Sequence, residues 1–134
     1  MVADVTRMGE WSPECKAGRW DDGAGPAVGS WFTGTNVTPD REWEKRCQVT
    51  AADRGRDFAF VTEGTGTRWR YTFEPVEGGT LVTETWEFPA IAVESFQQRF
   101  GDMAASHIAA RIKVTHEGIP ATLAALKRVA ESRS

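Results

Sequence analysis

The sequence has no surplus of positive charge. Its 134 residues include 16 Lys and Arg against 19 Asp and Glu, which gives a formal net charge of -3. The basic residues are scattered along the chain, whereas phosphate binding requires a concentrated basic face. We therefore expect no nucleic-acid partner.

Long apolar runs are also missing. No stretch approaches the roughly 20 residues that a membrane-spanning helix needs, and residues 1–4 lack the basic and apolar regions of a signal peptide. There are only two cysteines, Cys15 and Cys47. We expect a cytoplasmic protein in which both thiols are reduced.

Motifs for metals and cofactors are absent as well. His107 and His116 are nine residues apart, so at about 3.6 residues per turn they point to opposite sides of a helix. No pair of Cys or His residues has the spacing of a zinc site, and there is no G-x-S-x-G motif. We expect neither a metal nor a cofactor.

Turn residues divide the first two thirds of the chain into short segments rich in Trp, Phe, Tyr, Val and Thr. Glycine or proline occurs within residues 21–29, 38–40, 51–55, 63–66 and 77–79. Such spacing predicts a meander of antiparallel strands. The predicted strands are residues 29–37, 41–50, 56–61, 67–76 and 80–88, with a further strand near Cys15–Trp20.

A helical period replaces this pattern from Ala90 onward, and it predicts helices over residues 93–103 and 105–131. Pro120 lacks an N–H and is expected to kink the second helix near Gly118. The whole chain, residues 1–134, is therefore predicted to form one α+β domain. The apolar stripe of the helices contains Phe96, Phe100, Met103, His107, Ile108, Ile112, Ile119, Leu123 and Leu126.

Alternation along the strands predicts which side chains share a face. A two-residue turn at residues 77–78 puts Tyr71 opposite Glu84, Trp69 opposite Trp86 and Phe73 opposite Val82. A turn at residues 37–40 puts Asn36 opposite Arg41, Gly34 opposite Trp43 and Phe32 opposite Lys45. The inner face then also holds Cys47, Val49, Phe58 and Phe60.

This aromatic face, covered by one helix, predicts a pocket for a small apolar ligand. Any single ring is better explained as ordinary core, but the polar groups among the rings favour a pocket for the layer as a whole. The candidate ligand-binding residues are Phe32, Asn36, Trp43, Phe58, Phe60, Trp69, Tyr71, Phe73 and Trp86 from the sheet, with Phe100, Met103, His107 and Ile112 from the helices.

Glu84 is the main candidate for a general acid or base. A carboxyl group among aromatic rings has a raised pKa, as a general acid or base requires, and Tyr71 is placed to donate a hydrogen bond to it. The alternative is that Glu84 accepts one structural hydrogen bond or lies at a wet pocket mouth. Lys45 is expected about 14 Å from Glu84, at three strand spacings, with its ammonium group reaching the rim.

Several segments together resemble the SRPBCC superfamily, which includes START-like lipid-transfer domains and the polyketide cyclase/dehydrase family. Residues 2–14 resemble the segment after its first strand, and residues 25–29, with Phe32 and Gly34, resemble the next loop and strand. Residues 66–69 and 78–84 resemble a later hairpin. The resemblance implies a helix-grip fold, in which a curved antiparallel sheet wraps around a long C-terminal helix.

The resemblance leaves three functions open. The first is binding of a small hydrophobic ligand such as a lipid, polyketide or aromatic metabolite. The second is a cyclase or dehydrase reaction in which Glu84 and Tyr71 act as acid and base, with His107 or Asn36 as further candidates. The third is an interaction module that uses Trp31 and the sheet edge. The family has no universal catalytic motif, so the fold alone does not decide between them.

The resemblance also implies a first strand that this sequence lacks. In the family that strand pairs with the last one, here residues 80–88. Either the edge is open and recruits a second copy of the chain, or the true protein begins upstream. We expect a homodimer, because open edges recruit partners.

Overall fold

Six antiparallel strands form a single meander in which every strand pairs with its neighbours in the chain. The computed structural model describes residues 1–21 and 25–132. The strands are β1 (Cys15–Trp20), β2 (Trp31–Val37), β3 (Glu42–Asp53), β4 (Asp57–Thr62), β5 (Arg68–Val76) and β6 (Gly79–Glu87). Two helices follow, α1 (Ala90–Phe100) and α2 (Ala104–Glu131), and the 3₁₀ helix Val5–Glu10 precedes β1.

This architecture confirms the predicted fold class, a curved antiparallel sheet with a long C-terminal helix. The β5–β6 hairpin has the predicted register: Tyr71 pairs with Glu84, and Trp69 pairs with Trp86. Gly78 has a φ of 79°, the left-handed conformation that a two-residue hairpin turn requires.

The predicted register of the β2–β3 hairpin is wrong by two residues. Gly34 pairs with Lys45 rather than with Trp43, and Phe32 pairs with Cys47 rather than with Lys45. The connection is residues 38–41 instead of 37–40, because the Thr38 N–H donates to the Arg41 carbonyl at 2.9 Å. A shift of two residues keeps every side chain on its predicted face, since the strand period is two.

The first helix begins and ends three residues earlier than the sequence predicted, whereas the second begins one residue earlier and ends at Glu131 as predicted. α1 starts just after Pro89, whose carbonyl accepts a hydrogen bond from the Ala92 N–H at 2.9 Å. It ends at Gly101, which adopts a positive φ of 55°, so the predicted helix over residues 93–103 stops short. α2 continues through Pro120 as one helix.

The core lies between the inner face of the sheet and the C-terminal part of α2. Val5, Phe32 and Val49 are the largest fully buried side chains, and Leu126 of α2 packs against them. The N-terminal part of α2 leaves apolar side chains in solvent, and Val114 is 46% exposed. From Thr115 onward the helix covers the sheet more closely, since Thr115, Thr122 and Leu126 are buried.

Two glycines let the N-terminal 3₁₀ helix lie directly on β1. A Cβ atom at Gly18 would come 2.3 Å from the carbonyl oxygen of Val5, and one at Gly9 would come 2.3 Å from that of Lys16. Any side chain at either position would therefore clash with backbone. This close approach fixes residues 12–14 beside the end of the sheet where α2 passes.

The outer edge of β6 is open. In the sheet order β6 is terminal, and no strand among residues 1–21 and 25–132 pairs with its free side. β6 is nine residues long, and Leu81 on it is 52% exposed. The expected open edge at residues 80–88 is therefore present in the part of the chain that the structure describes.

Candidate functional site

A cavity of about 130 Å³ lies between the sheet, the middle of α2 and the segment that precedes β1. It is partly open to solvent. Phe32, Phe60 and Trp69 form an aromatic wall on the sheet side. The rings of Phe32 and Phe60 meet edge to face, with centroids 5.1 Å apart, so the wall is rigid and largely apolar.

Some of the predicted site residues lie together in the lining of this cavity. These residues come from β2, β4, β5 and β6, and they share the inner face because of the period-two alternation of the strands. Asn36 and Tyr71 are each 7% exposed. The predicted residues that line the cavity are Phe32, Asn36, Phe60, Trp69, Tyr71 and Glu84.

Four predicted aromatic residues lie outside the cavity lining. Phe58 is buried in the core, with 2% of its surface exposed, and Phe73 packs against that core. Trp86 lies beside Trp69, with ring centroids 6.2 Å apart. Trp43 is half-buried, and the guanidinium of Arg41 lies 4.1 Å from the centre of its ring. The strand alternation placed these side chains on the inner face, as predicted. Their positions along the strands, however, lie outside the cavity.

The helix residues predicted to close the pocket do not reach it. Met103 is 59% exposed and Ile112 is 37% exposed. Phe100 stacks instead on His107, with ring centroids 3.7 Å apart, and this pair lies outside the lining. α1 ends at Phe100 and α2 begins at Ala104, and most side chains in the first turns of α2 are exposed to solvent.

Residues of α2 that were not among the ligand-binding candidates form the helix side of the cavity. They recur at helical spacing, and they are Arg111, Val114, Thr115, Gly118, Ile119 and Thr122. The sequence analysis looked for large apolar side chains, and it placed Ile119 in the apolar stripe but not at the ligand. The small size of Thr115, Gly118 and Thr122 is what leaves the space open.

Glu84 and Tyr71 form a buried polar pair in the cavity wall. Burial raises the pKa of Glu84 from its ordinary value of 4.5 to about 7, and the hydrogen bond from Tyr71 opposes that rise. Burial, followed by the charge of the neighbouring Glu84, raises the pKa of the Tyr71 hydroxyl. The carboxyl of Glu84 is therefore able to gain or lose a proton near neutral pH, as the sequence predicted.

Unsatisfied polar atoms concentrate in the cavity lining. In the part of the chain that the structure describes, the buried side-chain atoms without a hydrogen-bond partner are Glu84 Oε1 and Thr115 Oγ1. Both residues line the cavity. Buried polar groups without partners are costly, so a ligand or water in the cavity would stabilise them.

Three charged residues line the cavity near the start of β1. Both Glu14 carboxylate oxygens accept from Arg111, at 3.2 and 2.8 Å. Lys45, which was expected to extend to the rim, lines the cavity beside this pair. Burial, and then the charge of Arg111, lower the pKa of Lys45.

The two cysteines also line the cavity, as free thiols. Burial raises the pKa of Cys15, and it raises that of Cys47 to about 11. Both thiols are therefore protonated at neutral pH and act as part of the apolar wall, since the thiolate is the reactive form.

Three observations on residues 1–21 and 25–132 concern other kinds of site. These residues contain no group of three or more His, Cys, Asp or Glu side chains placed to hold a metal ion. None of the helices in these ranges is long and apolar enough to span a membrane. Trp31, the candidate for an interaction surface, is half-buried, and the Arg46 guanidinium lies 4.1 Å from the centre of its ring.

Comparison with known proteins gives a family and a set of related structures. The sequence model of the family described as polyketide cyclase / dehydrase and lipid transport matches residues 1–131. A Polyketide_cyc-like protein from Corynebacterium glutamicum is 43% identical, with a TM-score of 0.72 over 98% of this chain and 81% of that chain. No curated protein matches.

Two more distant structures share the fold. An AHSA1-like protein from Aeromonas hydrophila is 18% identical, with a TM-score of 0.63 over 96% of this chain and 81% of that chain. The protein Ms6760 from Mycobacterium smegmatis is 20% identical, with a TM-score of 0.63 over 98% of this chain and 80% of that chain. At these identities the likeness concerns the fold alone.

The burial of the Glu84 carboxyl is tested by measuring how the stability of the protein depends on pH with and without it. Because its pKa in the folded protein is about 7, the folded state holds the proton more tightly than the unfolded state does. The contribution of Glu84 to the free energy of unfolding is greatest below about pH 4.5. It falls by about 1–3 kcal/mol as the pH rises through 7. Glu84→Gln is expected to remove this decline, measured by urea unfolding at a series of pH values.

The exposed Glu74 of β5 provides a matched control. Glu74→Gln is expected to leave the pH dependence of the wild-type protein unchanged. If Glu84→Gln also leaves it unchanged, the carboxyl of Glu84 is solvated and not the buried acid described above.

Proposed function

The chain belongs to the polyketide cyclase/dehydrase and lipid transport family, and on that premise we propose that it binds a small, largely apolar ligand in the cavity between the sheet and α2. The observation that carries the proposal is the cavity itself: an aromatic wall with a few convergent polar groups. This combination is typical of small-molecule sites. The proposed contacts of the ligand are Phe32, Phe60 and Trp69 for its apolar part, and Asn36 and Tyr71 for a polar group.

The volume limits what the cavity encloses. At about 130 Å³ it is similar to an engineered cavity of about 150 Å³ that binds benzene. One aromatic ring or a short aliphatic chain fits inside, and the remainder of a larger ligand would lie at the open side. A lipid, a polyketide or an aromatic metabolite fits this description.

A second candidate function is acid–base catalysis, and the state of Glu84 favours it. A carboxyl with a pKa of about 7 is half protonated at neutral pH, which suits proton transfer to or from a bound substrate. Tyr71, hydrogen-bonded to it, would hold the carboxyl in place or polarise a substrate carbonyl. A cyclisation or dehydration would use both groups, whereas simple binding needs only one to orient the ligand.

We also propose that two copies pair through the open edges of β6. The register of the hairpin leaves the N–H groups of alternate β6 residues, starting with Thr80, pointing away from β5. Unpaired donors and acceptors along a long strand form a template for a further strand. Antiparallel pairing of two β6 strands about a two-fold axis would satisfy them in both copies.

The proposed location is the cytoplasm. The thiols of Cys15 and Cys47 are free and buried, and they lie on strands separated by β2. A reducing compartment keeps such thiols unpaired, which supports this location.

A cavity-filling variant tests ligand binding. In the helix, a Cβ atom at Gly118 would have only Pro13 within 4 Å, at 3.7 Å, so Gly118→Phe is expected to place its ring in the cavity without disturbing backbone. The uncharged fluorescent probe phenylnaphthylamine is expected to bind the wild type, and its affinity for Gly118→Phe is expected to fall by at least about tenfold. The measurement is the fluorescence increase on titration.

The control for that experiment is Ala124→Phe, which adds the same ring on the exposed side of α2 and is expected to leave probe binding unchanged. Native mass spectrometry of the purified protein would show any ligand that copurifies. Equal probe binding by Gly118→Phe and the wild type would show that the cavity is not the binding site.

Catalysis is tested on the copurified compound, which is released, identified and incubated with fresh protein. If the chain is an enzyme, the NMR spectrum of the compound is expected to change with time, at a rate that titrates near pH 7. Glu84→Gln and Tyr71→Phe are expected to lose this activity but still to bind. A compound that stays unchanged with the wild type would leave binding as the function.

Pairing of the β6 edges is tested by light scattering over a dilution series. The wild type is expected to have twice the monomer mass at high concentration. Thr80→Pro removes an outward N–H, which proline cannot supply, and is expected to shift the equilibrium to monomer. Thr80→Ala keeps the N–H and is expected to behave as the wild type. A wild type that is monomeric at every concentration would contradict the proposed dimer.

A further inference from the structure

The cavity has two chemically different ends. β6 supplies Glu84 at one end, and β3 supplies Lys45 at the other. The two strands are three positions apart in the sheet, with β4 and β5 between them. The aromatic wall of Phe32, Phe60 and Trp69 lies on the strands between them and on their neighbours.

The Lys45 end carries more positive than negative charge. Lys45 and Arg111 contribute two cations, and Glu14 contributes one carboxylate. Both oxygens of that carboxylate are already engaged by Arg111, at 3.2 and 2.8 Å. Among residues 1–21 and 25–132, no hydrogen bond or ion pair engages the ammonium of Lys45, which is half-buried and keeps some contact with solvent.

The half-buried ammonium of Lys45 faces a largely apolar cavity and loses part of its hydration there, which disfavours the charged form. The nearby ion pair does little to offset this, because the charges of Glu14 and Arg111 largely cancel at Lys45. Burial lowers the pKa of Lys45, which shows that its surroundings disfavour the charged form. An anion placed in the cavity beside Lys45 would remove that penalty.

We propose that the ligand is an amphipathic anion, whose acidic group binds at Lys45 and whose apolar part lies against the aromatic wall. This inference rests on the proposed ligand-binding function and narrows it to acids: carboxylates, sulfonates or phosphates attached to an aromatic or aliphatic skeleton. The acidic group does not go to the other end, because Glu84 would repel it whenever that carboxyl is ionised.

A pair of fluorescent probes tests the proposal. Anilinonaphthalene sulfonate and phenylnaphthylamine share one skeleton and differ by the sulfonate, which stays ionised throughout the usable pH range. Lys45→Met is expected to weaken binding of the sulfonate by at least about tenfold, since a charge-assisted contact is lost. Binding of the uncharged probe is expected to stay within about twofold, because its contacts are apolar.

Lys127→Met is the matched control, because it removes the same charge from an exposed position on α2 outside the cavity lining. It is expected to change neither affinity. If Lys45→Met weakens both probes equally or neither, the anion site is wrong while ligand binding stands. If the wild type binds neither probe, the proposed ligand-binding function itself fails.

A measurement on the wild type alone covers the case in which Lys45→Met does not fold. Decanoate and decanol are compared as competitors of phenylnaphthylamine. On hydrophobicity alone the charged acid is the weaker ligand, so displacement at lower concentration by decanoate than by decanol is the expected result. Displacement at lower concentration by decanol would overturn the proposal.

Discussion

The packing of a long helix onto the sheet through its small residues is the constraint on which the site depends. Thr115, Gly118 and Thr122 face the sheet where larger side chains would have filled the space, and farther along α2 Leu126 closes the core. Interiors normally pack as densely as organic crystals. Here the helix is held at a fixed distance by Leu126, while small side chains leave a cavity beside it.

Strand alternation then decides which groups enter that cavity. The parity that buries Trp69 and Tyr71 on β5 also turns Glu84 inward on β6, and the parity that buries Phe32 on β2 turns Lys45 inward on β3. A carboxyl or an ammonium group on the inner face is surrounded largely by apolar side chains. The polar groups at the two ends of the cavity therefore follow from the same periodicity as its aromatic wall.

Features that depend on local rules, such as the register of a tight hairpin, could be predicted from the sequence. Contacts between segments that are distant in the chain could not. The Glu77–Gly78 turn has one favoured geometry, so the β5–β6 register and the Tyr71–Glu84 pair could be predicted. The β2–β3 connection has no such residues, and its register was wrong by two. In the helical part of the chain, side-chain size suggested Met103 and Ile112 as pocket residues, although both are exposed. Only the position of the helix along the sheet, which no local pattern encodes, brings Arg111 beside Glu14 and Lys45.

The unfavourable features of this protein gather in one place, and that argues against a mere packing defect. The cavity lining holds the unsatisfied Oε1 of Glu84, the unsatisfied Oγ1 of Thr115 and the half-buried side chain of Lys45. A buried polar atom without a partner costs free energy, and so does a partly desolvated charge. Random imperfections would be scattered through the core, whereas functional sites are where proteins break the rules of packing and polar satisfaction. A ligand that fills the cavity relieves these costs together, so its binding free energy is added to the stability of the fold.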